Sequence, residues 1–334
     1  MGITAKDLAA QLGLSAAAVS LALNDKPGVS EITRKQVLDA AKEQGYDFSK
    51  RRPTGKGRGR FAFLIYHKHG AVVAETAFFS ELTDGISRAC KTCGYDLDIH
   101  YLFADDVDAS YLRALTASNI DGIILLGTEM RANDLAPFMD LSVPLVVLDT
   151  YSESLPLNYV LINNVQGAYI ATNHLIAKKR GQPGYLRSSY AIGNFDERAD
   201  GFYKAIRENG LSSSQSIVHR LAPSIDGAYA DMLSLLKSGE RTASCYFADN
   251  DLIAAGAMRA FKACGYRIPE DIGIVGFDNT SLCELLEPPL TTINVPKQAM
   301  GRVAVDRLIA LTSTQTTEIS KIEISTSLVR RNSI

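Results

Sequence analysis

The sequence predicts an all-α helix-turn-helix head at the N-terminus followed by an α/β core of two doubly wound parallel-sheet lobes. Three observations carry this. Within residues 1–46, three short segments of helical apolar periodicity are separated by a glycine turn and by cap residues. From residue 61 onward, β-like apolar runs alternate with helical patterns, which calls for parallel sheets covered on both faces. That alternation runs to about residue 160 and then restarts, so the core reads as two similar lobes with a cleft fed by strand C-termini.

Bulk properties are consistent with this. At 334 residues, 46% hydrophobic and 22% charged, the chain has room for a small head and a large core and is not a disordered composition. Apolar runs such as 123–126 are far too short to cross a bilayer. The first residues, with Lys6 and Asp7, form no apolar secretory segment, so the expected compartment is the cytoplasm. Five cysteines, an odd number, suggest no disulfide framework. Cys90-x-x-Cys93 has no second pair and no His at ligand spacing; it falls in a helical pattern with Phe79, Leu82, Ile86 and Ala89, where cysteine fills core. Neither a metal nor a cofactor is expected.

Charge is unevenly distributed. Residues 1–60 hold 11 Lys and Arg against 6 Asp and Glu, while the remainder holds 24 against 31. The excess sits in Lys50, Arg51, Arg52, Lys56, Arg58 and Arg60, a basic end on an acidic body. That is the footprint of a phosphate-binding appendage or, more blandly, of a solvated linker.

In the head, Ile3, Leu8, Ala9 and Leu12 share a helical face, with Thr4 and Asp7 as a capping pair. Gly13 stops that helix. Ser15 is the next N-cap, followed by 16–23 as a second helix. Ser30 caps a third, with Ile32, Val37, Leu38 and Ala41 as its apolar face, ending near Gly45.

These residues resemble the lactose/galactose-repressor (LacI/GalR) family. Its heads read Thr-x-x-Asp-(apolar)-Ala, Gly-(apolar)-Ser and Val-Ser-x-x-(apolar)-Asn, here Thr4, Asp7, Leu8, Ala9, Gly13, Leu14, Ser15, Val19, Ser20, Leu23 and Asn24. Val29, Ser30, Thr33, Arg34 and Tyr46 match the third helix and its exit. The resemblance implies a head whose Thr4, Ser15, Ser20, Asn24, Ser30, Thr33 and Arg34 hold phosphates, while Ala16, Ala17 and Leu21 face base edges. Those three cannot hydrogen-bond, so readout would rest on thymine methyls and shape. Relatives follow the head with a hinge helix carrying a wedging leucine. Residues 47–60 instead contain Pro53, three glycines and no leucine, so a basic linker is expected, with Arg51 and Arg52 on phosphates or in a narrow minor groove.

For the core, strands are expected at 61–67, 95–102, 121–126 and 144–148, with helices near 79–93, 107–118 and 131–140. After a strand at 159–162, helices at 165–179, 197–209, 225–238 and 251–264 alternate with strands at 184–187, 217–221, 243–248 and 272–277. The family resemblance continues through Asn164-x-x-Gly167-Ala168, Arg198-x-x-Gly201-Phe202, Asp249-Asn250-Asp251, Val275-Gly276-Phe277-Asp278 and Leu328-Val329-Arg330. It implies a periplasmic-binding-protein-like core, 61–334, whose first lobe takes about 61–160 and 295–334 and whose second takes about 161–294.

In such a core a small ligand lies between the lobes. By position Arg198, Asn250 and Asp278 match the family's polar contacts, with Asp149 from the first lobe. Phe78, Phe79 and Phe195, with Asn194 beside the last, are the remaining candidates. Carboxylate and amide oxygens accept from hydroxyls while Arg and amide NH₂ donate, which suits a sugar or sugar derivative. The stretch 221–229 has no ring until Tyr229, where many sugar-binding relatives carry a stacking aromatic.

Enzymatic signatures are missing. Gly55-Lys56-Gly57-Arg58-Gly59 lacks the Walker spacing and follows no strand, no Gly-x-Ser-x-Gly elbow occurs, and the five His are scattered. The expectation is a ligand-controlled, homodimeric DNA-binding regulator, most simply a repressor, on a pseudo-palindromic operator. The alternative is a transport-type binding protein, against which the basic head argues.

Overall fold

A computed structural model describes residues 5–23, 28–44, 59–70, 72–73, 77–314 and 318–334. The chain divides into two compact units, a helical head and an α/β core that starts at Arg60.

The head is built from α1 (Ala5–Leu12), α2 (Ala16–Leu23) and α3 (Glu31–Glu43). Leu8, Ala9, Val19, Ala22, Leu23, Val37 and Ala41 form its buried cluster. Gly13 ends α1 at φ +64°, a left-handed position that costs glycine nothing. Ser15 Oγ accepts from the Ala18 amide at 3.1 Å, and Ser30 Oγ from the Thr33 amide at 3.1 Å, so both serines cap as expected. Ile32 departs from expectation: it is 81% exposed. It lies five residues before Val37, about 140° around the helix from the buried face.

The core's first half runs β1 (Gly59–His67), α4 (Ala77–Cys93), β2 (Tyr95–Phe103), α5 (Ala109–Ala117), β3 (Gly122–Leu126), α6 (Ala132–Leu135), β4 (Leu145–Leu148) and β5 (Asn158–Ile162). The second half runs α7 (Asn164–Lys179), β6 (Gly184–Ser188), α8 (Gly193–Glu208), β7 (Val218–Leu221), α9 (Ile225–Lys237), β8 (Cys245–Ala248), α10 (Asp251–Ala263), β9 (Gly273–Asp278), α11 (Leu282–Leu285) and β10 (Thr291–Asn294). The chain then gives α12 (Lys297–Thr314), β11 (Lys321–Ile324) and β12 (Ser327–Val329). One sheet has the order β11-β5-β4-β3-β1-β2 and the other β12-β10-β9-β8-β6-β7. Both therefore repeat one winding, reversing direction at the β1/β3 and β6/β8 steps. Ladders such as Phe63 opposite Ile124 and Phe277 opposite Ile293 are parallel; β12 runs antiparallel to β10.

The strands nearest each sheet's centre, β3, β4, β8 and β9, are buried throughout, as strands covered on both faces must be. Ile123, Leu125, Val147 and Phe138 belong to the first lobe's core; Tyr246, Phe261, Ile274 and Met258 belong to the second's. Each such side chain contributes roughly 1.5–3 kcal/mol by burial. Gly167 lets α7 approach β9: a Cβ there would stand 2.6 Å from the Phe277 ring.

Two boundaries differ from expectation. α8 begins at Gly193, four residues before the expected start, because the Gly193-Asn194 pair reads as loop although Phe195 and Asn194 are buried on the helix. The tail also does not end in the first lobe. α12 packs on α4 and β11 pairs with β5, but β12 returns to the second sheet. There Ser333 Oγ donates to the Ile274 carbonyl and accepts from the Thr291 amide. The chain thus crosses between lobes near 163, 295 and 325, and the last crossing lies in a three-residue step too short for any periodicity to reveal.

Candidate functional site

All eight residues expected at the ligand site line one cleft between the lobes. They arrive from different elements. Phe78 and Phe79 open α4, Asp149 follows β4, Asn194, Phe195 and Arg198 lie on the first two turns of α8, Asn250 caps α10, and Asp278 ends β9. These are strand C-termini and the helix starts that follow them, where an open α/β sheet presents its groups to a ligand. Val72, Thr128, Ile162 and Ile192 line the same cleft and were not anticipated. Thr128 had a legible signal, a polar residue just beyond an all-apolar strand; the three aliphatics had none.

Arg198 is the organising cation, only 3% exposed. Its Nε donates to Asn164 Oδ1 at 2.9 Å, one terminal nitrogen to the Asp249 carbonyl at 2.5 Å and the other to Asp278 Oδ1 at 3.3 Å. The guanidinium lies over the Phe277 ring, 3.7 Å from its centroid. Arg198 is therefore both an internal ion pair and a cleft-lining residue. Lys297, on α12 and equally buried, was missed by sequence reasoning. It reaches the Asp278 carbonyl at 2.8 Å and Glu81 at 3.3 Å.

Asp149 accepts from Thr128 Oγ1 at 2.6 Å and, across the lobes, from Asn194 Nδ2 at 2.9 Å. Burial pushes its carboxyl up to about 6, against the pull of Thr128, Arg198 and Asn194. Burial likewise raises Asp278 to about 7; Arg198 opposes this and Asp251 adds repulsion. Asp149 and Asp278 occupy corresponding places at the C-terminal ends of β4 and β9, and both have left-handed backbones, φ +64° and +111°. Non-glycine residues hold such angles only where the surroundings enforce them, at a cost of about 1–3 kcal/mol each, and functional sites are where such costs collect.

The functionality left facing the cleft is mostly acceptor. Asn250 Oδ1 is committed to the Ile253 amide at the start of α10, which leaves its NH₂ as a donor. Asn194 uses its NH₂ on Asp149, leaving its oxygen, and Asp278 retains acceptor capacity beyond Arg198. Carboxylates with one amide donor between apolar walls suit a compact ligand rich in hydroxyls.

In the head, Ala16, Ala17 and Ser20 are exposed on α2 and Leu21 is half-buried. Ser15 and Ser30 are exposed, and Thr33 donates or accepts with Ser30 across 2.8 Å. Arg34 is half-buried on α3. Thr4, Asn24, Arg51 and Arg52 lie outside the described residues, as does most of the 47–60 linker. No helix among the described residues is long and apolar enough to cross a membrane.

Comparison with known proteins adds the identity of the group. The profile described as bacterial regulatory proteins, lacI family, matches residues 4–48, and that of the periplasmic binding protein-like domain matches 172–334. The ribose operon repressor of Halalkalibacterium halodurans is 31% identical over 336 residues, covering 98% of this chain and 96% of its own. A repressor named PurR from Aliivibrio salmonicida is 28% identical over 335 residues, 99% of this chain and 98% of its own. Among solved structures, a complex of the transcriptional regulator CelR with cellobiose superposes with TM-score 0.73 at 26% identity, covering 99% of both chains. A LacI-family regulator from Enterococcus faecalis V583 with bound ribose gives 0.68 at 25% identity, over 82% of this chain and 98% of the other. Alike in sequence over nearly its whole length and alike in fold, this chain belongs to the lacI family of bacterial regulatory proteins, DNA-binding transcription regulators with a ligand-binding core.

Proposed function

We propose that the protein is a homodimeric repressor whose operator affinity is set by a small sugar held between the two lobes. The observation that carries the ligand assignment is the convergence of Asp149, Asn194, Arg198, Asn250 and Asp278 on one cleft walled by Phe78, Phe79 and Phe195. The ribose operon repressor and the ribose-bound regulator among its relatives support a pentose as the first compound to test. The ligand is bound, not transformed.

On the DNA side, residues 1–46 form the head and 47–60 a basic linker. Ala16, Ala17 and Leu21 of α2 meet base edges in the major groove, while Thr4, Ser15, Ser20, Asn24, Ser30, Thr33, Arg34, Arg51 and Arg52 hold phosphates. Two heads related by a two-fold axis read half-sites about one helical turn, roughly 34 Å, apart. A ligand that favours one relative setting of the lobes changes operator affinity, and by linkage the operator changes ligand affinity by the same factor.

Selection from a random double-stranded pool with the full-length protein tests this. The expected result is a palindrome with half-sites one turn apart, retained by the wild type and lost on Ala16→Asp, and released by D-ribose at millimolar concentration or below. Salt-sensitive binding with no enriched sequence would refute operator recognition. A selected operator unmoved by any sugar would refute the ligand class alone.

A further inference from the structure

Glu129 lies just beyond β3, only 5% exposed, and among the described residues no positive side chain forms an ion pair with it. Its carboxylate instead accepts from five backbone amides. Lys68, His69 and Gly70 donate to Oε2 at 2.7, 2.9 and 3.1 Å, and Val72 and Val73 to Oε1 at 3.1 and 3.4 Å. An ionised carboxylate offers about four lone-pair sites, so this one is saturated. The amides come from the segment that follows β1, and those backbone groups have no strand or helix to serve them. One side chain therefore holds residues 68–70 and 72–73 in place.

The turn forms a rim of the cleft. Val72 lines it and packs with Ile192 and Phe195 of the second lobe in a small apolar cluster that spans the opening. The second lobe has a counterpart at the equivalent step of its sheet. Asp249, just beyond β8 and fully buried, accepts from the Ser188 amide at 2.6 Å and from the Tyr185 hydroxyl. Ser188 ends β6, and the segment that follows it delivers Ile192. Both carboxylates thus sit at the reversal of strand order, β1/β3 and β6/β8; Glu129 grips the turn after β1, and Asp249 fixes the last residue of β6, from which the segment bearing Ile192 departs.

We propose that Glu129 and Asp249 are paired positioning residues, each setting its own lobe's rim of the ligand cleft so that Val72 and Ile192 meet across the opening. Glu129 does not line the ligand cleft; it acts through the turn. The consequence for effector response rests on the ligand-cleft reading, but the placement itself does not, and the test separates the two.

The test is amide hydrogen exchange on the full-length protein without ligand, comparing wild type, Glu129→Gln and Glu129→Asp. Gln keeps the size but turns an NH₂ toward amide donors; Asp keeps the charge but draws it back by one methylene. In both variants the amides of residues 68–70 and 72–73 are expected to exchange at least tenfold faster, with β3, β4 and the second lobe unchanged and operator affinity within twofold. A spectroscopic readout is also available, since the chain has no tryptophan. Tyr190 lies across the opening from His69, with ring centroids 6.0 Å apart, so Tyr190→Trp reports on the rim. Its emission should shift to longer wavelength when Glu129→Gln is added. Unchanged protection at 68–73 with unchanged emission would overturn the proposal. So would protection lost across the whole first lobe in both variants, which would make Glu129 a residue of global stability. If no sugar moves operator affinity while the exchange result holds, the ligand class falls and the positioning role stands.

Discussion

Replacing Arg198 with Met tests whether the cleft's charge balance is as the geometry describes. Met retains much of the side chain's volume against Phe277 but removes the donors to Asn164, the Asp249 carbonyl and Asp278. Deleting one partner of a buried pair costs about 3–5 kcal/mol, because the remaining charge is left uncompensated. Here that charge has an escape. Asp278 already stands at about 7, with Arg198 the leading influence holding it down, so without Arg198 it rises further and the variant keeps its proton at neutral pH. Below pH 5 Asp278 is protonated in both proteins, and only hydrogen bonds are lost, about 1–2 kcal/mol. At pH 8 the wild type has the ionised pair while the variant carries either a lone buried carboxylate or the work of protonating it. That work is worth up to about 1.4 kcal/mol at pH 8, one unit above the wild-type value, so the stability loss should be about 2–3 kcal/mol there, or roughly 4–6 °C in Tm at about 2 °C per kcal/mol for a core of this size, and about 1–2 kcal/mol at pH 5. Urea unfolding followed by circular dichroism measures both. Equal losses at the two pH values, or a loss under about 1 kcal/mol at pH 8, would refute the account of Arg198 as the counter-ion of Asp278.

Two further outcomes follow from the same structure. Asp149 and Asp249 each stand at about 6 in the fold, with burial the leading cause, against 3.8 unfolded. Their contribution is fully present below about pH 4 and is lost as pH rises through 6, by up to about 3 kcal/mol each, so the ligand-free core should be more stable at pH 5 than at pH 7.5; a flat profile between those values would count against both assignments. Gly167→Ala places a methyl 2.6 Å from the Phe277 ring that supports Arg198, so it should cost about 1–3 kcal/mol and weaken ligand binding while operator selection by the head persists.

The periodic parts of this molecule were legible and the non-periodic ones were not. Three head helices and the alternating core could be read because a 3.6-residue or buried-strand pattern declares itself within a dozen residues. All eight residues expected at the ligand site meet in one cleft, since strand-end Asp and Asn residues mark themselves by following apolar runs. Glu129 follows such a run too, but what it grips is the backbone of residues some sixty positions earlier, and backbone donors have no sequence signature. Lys297 escapes for a similar reason, being brought to Asp278 by a crossing that only the folded topology defines. Ile32 illustrates the reverse error: an apolar residue counted into a helix face on type, although its angular position puts it in solvent.

The three crossings near 163, 295 and 325 constrain how the core can move. One tether would let the lobes swivel freely, and two would still permit rotation about the line joining them as well as shear. The tethers near 163 and 325 are drawn together by bonds such as Asn163 N to the Ile324 carbonyl and Thr326 N to Gln166 Oε1, and with the third near 295 they restrict the lobes chiefly to changes of angle. Whatever occupies the cleft would then act within the core chiefly on the angle between the lobes, so ligands of different shape would differ mainly in how far they set it.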